Sequence, residues 1–192
     1  MKDLKPYIDE SLFANEVPDV AKTENQLALE AFYKCARDDW DEPLKNSRLL
    51  NKIKIEVKSD GLYITFDSSI SDRYIIIKII DKSAFLNIKY FSGSLAIRHS
   101  DIKDLKNIFA PNCEFRGQLW IQDCDIKDLE GAPAKILHKK HSRSYFGLHL
   151  FQCKELKSLK GLPEGLNNDN VIVQHCGIND EDVVKEIKKY SK

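Results

Sequence analysis

The chain has 192 residues, 42% hydrophobic and 31% charged, with 30 Lys+Arg set against 30 Asp+Glu. That length suits one domain with a continuous core, and the balanced charge gives no whole-chain pull toward nucleic acid or an anionic membrane. The longest apolar run, residues 74–80, is broken by Lys78 and falls far short of the ~20 residues a membrane helix needs, so no membrane partner is expected.

In chain order, Lys2, Asp3 and Lys5 open the sequence with no apolar stretch behind them, which argues against a secretory signal. Leu4, Tyr7, Ile8 and Leu12 fall on one helical face, with Pro6 tolerable in a first turn. Thr23-Glu-Asn-Gln26 is a capping box for a helix running to about Arg37, with Ala28, Ala31, Phe32 and Cys35 on one face. Residues 38–45, which include Pro43, read as a linker. Residues 53–57 and 62–66 alternate around Ser59-Asp60-Gly61 and predict a hairpin. Residues 74–80 and 84–90 predict two further strands.

From Leu95 onward the sequence repeats. Leu95-Ala-Ile97-Arg-His-Ser100-Asp-Ile102-Lys-Asp-Leu105 aligns with Leu119-Trp-Ile121-Gln-Asp-Cys124-Asp-Ile126-Lys-Asp-Leu129, sharing the pentapeptide Asp-Ile-Lys-Asp-Leu. Further copies start at Leu148 and Val171, so the spacings are 24, 29 and 23 residues. Leucine-rich repeats run at roughly 20–29 residues. Each copy alternates apolar and polar residues as a short half-buried strand does. Three residues beyond its second apolar position stands a small side chain able to hydrogen-bond a turn: Ser100, Cys124, Cys153 or Cys176. Gly131 with Pro133 and Gly161 with Pro163 mark the returning corners. The basic loop at residues 135–143 accounts for the long middle spacing. Asn179, followed by three acids, opens a helix to about Lys189, with charges that suit the helix dipole.

These elements predict an α+β chain in three parts. Residues 1–45 form an N-terminal helical segment and linker, and residues 46–92 an antiparallel β cap. Residues 93–192 form a short leucine-rich-repeat-like solenoid of parallel strands with a C-terminal capping helix, since a solenoid needs its open ends covered.

Catalytic constellations are not visible: no HExxH, P-loop, GxSxG or GxGxxG occurs, and no enzyme activity or cofactor is expected. Five widely spaced cysteines without a CxxC favour free thiols in a reducing compartment. Cys124, Cys153 and Cys176 would stack at the ~4.8 Å strand spacing, too far apart to share one zinc at bonds near 2.3 Å, so no metal site is expected. Asp38, Asp39, Asp41 and Glu42 read as a solvated acidic linker. The functional candidates lie on the outward face of the repeat strands, where three ladders are expected. These are Ala96/Trp120/His149/Ile172, Arg98/Gln122/Phe151/Gln174 and His99/Asp123/Gln152/His175. With Trp120 and Phe151 in solvent, Arg98, Trp120, Gln122, His149, Phe151 and Gln174 would bind a protein partner. The bland alternative is that another segment covers them. Lys139, Lys140 and Arg143 on the basic loop are the alternative, phosphate-contacting candidates. Without a wider basic face they read first as a solvated insertion.

Two resemblances attach to particular residues. Cys153-Lys-Glu-Leu156-Lys-Ser-Leu159-Lys-Gly161-Leu-Pro163, echoed from Cys124 to Pro133, resembles the leucine-rich-repeat-like proteins common in tailed bacteriophages, over residues 93–178. That resemblance implies a fold and little about activity. Residues 1–13 look like the capsid-targeting leaders of internal head proteins of large tailed phages, which a prohead protease trims after a Leu/Ile-x-Glu triplet. Ile8-Asp9-Glu10 matches the triplet, and the resemblance implies cleavage before Ser11. An ordinary N-terminal helix docking by Leu4, Ile8 and Leu12 is the other reading. Together the resemblances imply a protein of the infected bacterial cytoplasm and, where the leader reading holds, of the virion head, with nucleic-acid contact through the basic loop as the alternative role.

Overall fold

The computed structural model describes residues 22–38, 41–66, 74–79, 84–137 and 146–191. Helix α1, Glu24–Cys35, begins at the capping box: Thr23 Oγ1 accepts from the Gln26 N–H at 3.3 Å, and Gln26 Oε1 accepts from the Thr23 N–H at 2.8 Å. It buries Ala28, Phe32 and Cys35. It also buries Asn25, whose Nδ2 donates to the carbonyls of Lys58 and Ser59 while its Oδ1 accepts from Asn87. The helix stops at Cys35 because Ala36–Arg37 extends into strand β1, which pairs antiparallel with β4, Tyr74–Ile77.

The 38–45 stretch is built rather than solvated at its first residue. Asp38 is 3% exposed; its carboxylate accepts from the Glu42 N–H at 3.0 Å and the Ser47 Oγ at 2.6 Å. A buried carboxylate is tolerated only with such donors. This corrects the reading of Asp38 as part of a solvated linker, whereas Asp41 and Glu42 are exposed.

The predicted hairpin is present as β2, Ile53–Lys58, and β3, Gly61–Phe66, paired antiparallel. The strands that follow are parallel: β5, Ile88–Arg98; β6, Phe109–Gln122; β7, Lys135–Leu137; β8, Gly147–Phe151; and β9, Val171–Gln174. These strands are the coils of a solenoid. β3 and β4 each pair parallel with β5, so the coiling begins upstream of the recognisable repeat, and the border expected between residues 92 and 93 falls within β5.

β5 and β6 are long because each runs through a bend. Gly93 and Gly117 are opposite each other in register, with φ of +150° and +139°. Before the bend, β3, the first halves of β5 and β6, and β7 form one leg. After it, β4, the second halves, β8 and β9 form the other. Inter-coil backbone bonds close a third side, where the Leu105 N–H donates to Glu130 O at 3.2 Å and the Leu129 N–H to Lys160 O at 2.8 Å.

The core lies between these sides. Leu95, Leu119, Leu148 and Val171 stack in register on one inward row, and Ile97, Ile121, Leu150 and Val173 on the next. All are buried except Val173 in the last coil, which is half-buried. On the first leg Phe91 and Phe115 are fully buried and stacked, with ring centroids 4.9 Å apart and planes 7° apart.

At the end of each outward strand the chain turns through one left-handed residue: His99 (φ 46°), Asp123 (50°), Gln152 (55°) and His175 (55°). The turn swings the next side chain inward, and it bonds carbonyls of its own and the preceding coil. Ser100 Oγ donates to Arg98 O and accepts from the Ile79 N–H at 2.9 Å. Cys124 Sγ contacts Gln122 O and Ile97 O, and Cys153 Sγ contacts Phe151 O and Ile121 O. The predicted small-residue ladder therefore stitches coil to coil.

Helix α2, Asp180–Tyr190, opens on Asn179, whose side chain accepts from the Asp182 N–H at 2.9 Å. Ile187 is buried, and Val183 and Tyr190 pack on the core from the C-terminal end. Glu186 fastens the helix by accepting from Ser158 Oγ at 2.6 Å and the Leu159 N–H at 3.0 Å. The Ser158 hydroxyl chiefly, aided by the Leu159 amide, holds the Glu186 carboxyl below the ordinary glutamate range. A depressed carboxyl adds stability above its unfolded pKa and loses it as pH falls through its folded one. Unfolding midpoints in urea should therefore drop as pH goes below about 4.3, and Glu186→Gln should flatten that dependence. An unchanged slope in the variant would remove Glu186 from the docking of α2.

Candidate partner-binding face

Strand parity places the side chains on the outward face of the second leg. The register Ile76–Ala96–Trp120–His149–Ile172 makes one row across five strands. Arg98, Gln122, Phe151 and Gln174 make the next row. The first two predicted ladders are thus rows of one sheet. The third, His99/Asp123/Gln152/His175, forms the left-handed corner bordering that sheet. Its strongest contact is His99 Nδ1 with Asp123 Oδ2 at 3.1 Å.

Within this frame the six predicted residues differ. Trp120 and His149 are brought together, with ring centroids 4.4 Å apart and planes 26° apart. Gln118 Nε2 lies 3.0 Å from His149 Nε2, a hydrogen bond that puts the imidazole proton on Nδ1. Burial holds the His149 pKa below its ordinary value. Phe151 meets His175 edge-on, with centroids 5.5 Å apart. Gln122 Nε2 donates weakly to Asp123 at 3.4 Å, and Gln174 is exposed.

Arg98 is not free at the rim. Its guanidinium lies over the Tyr74 ring, 5.0 Å from the centroid, and Nη2 donates to Tyr74 Oη at 3.2 Å. Sequence reasoning missed Tyr74 because β4 lies ahead of the legible repeat; its place at the head of the apolar run of residues 74–77 was its only signal.

The expectation of a tryptophan left in solvent is corrected. Trp120 is half-buried, and Ala96 beside it is fully buried. The reason is lateral: the indole stacks on His149 of the neighbouring strand, and its partner in register on the other side is the small Ala96. Two donors on this face, Trp120 Nε1 and Arg98 Nε, are buried without an acceptor among the described residues. Each unmet donor carries a desolvation cost of about 1–3 kcal/mol that an incoming acceptor could relieve. Ile172 at the end of the first row is 40% exposed.

Lys139, Lys140 and Arg143, and likewise Ile8, Glu10 and Ser11, lie outside the described residues. Among the described residues no three His, Cys, Asp or Glu side chains gather as a metal-holding group. No helix among them is long and apolar enough to cross a membrane. Burial pushes the thiols of Cys35 and Cys113 up to about 12 and that of Cys124 to about 11, which keeps them protonated. A groove of about 480 Å³ beside α1 is lined by Leu27, Ala31, Lys34, Arg37, Lys78 and Phe85 among others; the described lining holds no histidine, and Glu24 is its one carboxylate.

Comparison with protein-family models, curated proteins and solved structures finds no match. Fold and face together therefore define the class: a β-solenoid of about four turns with a helix at its C-terminal end, an antiparallel strand pair upstream and an aromatic-bearing outer sheet face.

Proposed function

We propose that the protein is a non-enzymatic binding module that takes a protein partner on the outward face of its repeat sheet. The observation carrying this reading is the aromatic row Trp120–His149 with Phe151 beside it, on a face that also holds two buried donors lacking acceptors among the described residues. Aromatic residues with polar neighbours supply the desolvated anchor of a protein interface, and Arg and Trp are prominent among such anchors. The orphan donors suit a partner that brings a carbonyl or carboxylate to the indole.

The resemblance of residues 93–178 to leucine-rich-repeat-like phage proteins supports placing the module in an infected bacterial cell. The leader-like residues 1–13 support carriage in the virion head. N-terminal sequencing of protein recovered from its particle tests the second point, since a start at Ser11 is expected and an intact Met1 would end it.

For the face itself, Trp120→Ala with Phe151→Ala should abolish co-purification of the partner with the tagged full chain. Each anchor removed costs about 2 kcal/mol or more of binding, roughly thirtyfold in affinity. Both side chains are half-buried, so the loss of folding stability should stay near about 2 kcal/mol. Partner retention alongside a much larger stability loss would mark the row as packing.

A further inference from the structure

Cys153 and Cys176 occupy the same corner position on the last two coils. They follow the left-handed residues Gln152 and His175, and Phe151 pairs with Gln174 two places earlier. The Gly177 N–H donates to Cys153 O at 3.1 Å, which holds the two corners together. Their thiols lie within hydrogen-bonding reach of each other, and no disulfide joins them. They differ in access: Cys153 is fully buried, whereas Cys176 is half-buried because no further coil stacks on it. Parallel neighbours sit about 4.8 Å apart, inside the ~4.4–6.8 Å Cα range of disulfides.

We propose that Cys176 and Cys153 form a peroxide-reactive dithiol that closes into a disulfide stapling the last coil to the one before it. The Cys176 thiolate attacks one peroxide oxygen; an S–O bond forms, the O–O bond breaks, and the departing hydroxide takes up a proton as water. Cys153 sulfur then attacks the Cys176 sulfenic sulfur. An S–S bond forms, the S–O bond breaks, and the Cys153 proton leaves with that oxygen as a second water. Hydrogen peroxide is reduced by two electrons, one supplied by each sulfur. The roles follow from the structure: the accessible thiol meets the oxidant and the enclosed one resolves it. The hydrogen bond from Cys153 lowers the Cys176 pKa to about 7, against burial that opposes it, so a useful fraction is thiolate at neutral pH. Cys35, Cys113 and Cys124 are enclosed and pushed well above the usual thiol value by burial, and Cys153 is raised too, chiefly by its hydrogen bond to Cys176, so Cys176 is the thiol that meets the oxidant and Cys153, beside it, the one that resolves it.

The test treats the reduced full-length protein with hydrogen peroxide at neutral pH and follows it by intact mass and peptide mapping. The expected product has lost two hydrogen atoms and yields linked peptides carrying Cys153 and Cys176, with the other three thiols intact. Dithiothreitol should reverse it, and the oxidised form should melt higher. In Cys153→Ser, Cys176 should gain two or three oxygens instead, because nothing resolves the sulfenic acid. In Cys176→Ser, thiol loss should slow at least about tenfold. Both variants are expected to fold, since serine already fills this corner at Ser100 on an earlier coil. Wild-type protein in which Cys176 over-oxidises while Cys153 stays a thiol would overturn the proposal. So would oxidation of all five cysteines at similar rates.

Discussion

Phe115→Ala should lower the free energy of unfolding by about 3–5 kcal/mol, the usual cost of truncating a fully enclosed aromatic. Phe115 has no solvent exposure. It is stacked on Phe91 at 4.9 Å and meets Phe109 edge-on with centroids 6.5 Å apart. The site cannot collapse freely, because the three rings sit on β5 and β6, whose backbones pair at Ile88–Phe109 and again from Tyr90–Glu114 onward, on either side of a bulge. Set against the ~5–15 kcal/mol that holds a typical domain together, the loss is large. Urea unfolding followed by circular dichroism measures it. A change below about 1 kcal/mol would mean that the first leg is loosely packed and that the coils depend on the second leg alone.

The second large effect is a backbone one. A methyl group added at Gly117 would lie 2.0 Å from the carbonyl oxygen of Gly93 on the next coil, and Gly117 has a φ of +139° that L residues rarely adopt. The obstacle is main chain and cannot rotate away. Gly117→Ala therefore combines backbone strain of about 1–3 kcal/mol with overpacking of similar size. The variant should lose about 2–5 kcal/mol and unfold at a clearly lower urea concentration. Ser94→Ala, one residue beyond the matching bend on β5 and half-buried, should change stability by about 0.5 kcal/mol or less. Equal effects at the two positions would show that the bend tolerates a side chain.

The two effects concern one feature. The bend at Gly93 and Gly117 separates the aromatic-filled first leg from the second leg that carries the candidate face. On the second leg Trp120 stacks on His149 instead of projecting. The charged third side adds little beyond registration: Glu130, half-buried, lies between Lys106, at 3.2 Å, and Lys160, both exposed. Such pairs contribute little to stability.

What was legible in the chain itself was whatever repeats locally. Strand alternation at Leu95/Ile97 and its three copies named the inward rows, because a period of two is a property of the strand alone. The small residue at Ser100, Cys124, Cys153 and Cys176 named the corner, because only a compact side chain able to bond carbonyls fits there. The capping residues Thr23 and Asn179 marked the starts of both helices, since caps act within one turn. Tertiary structure decided the rest. That β3 and β4 join the stack depends on pairing with β5 more than ten residues away, which no local pattern encodes. The Gly93–Gly117 contact, the Asp38 carboxylate enclosed by Ser47, and Arg98 parked on Tyr74 likewise join residues distant in sequence. The posture of Trp120 belongs to the same group: alternation assigns a side chain to a face, but how far it stands clear of that face depends on what its neighbours on other strands leave uncovered.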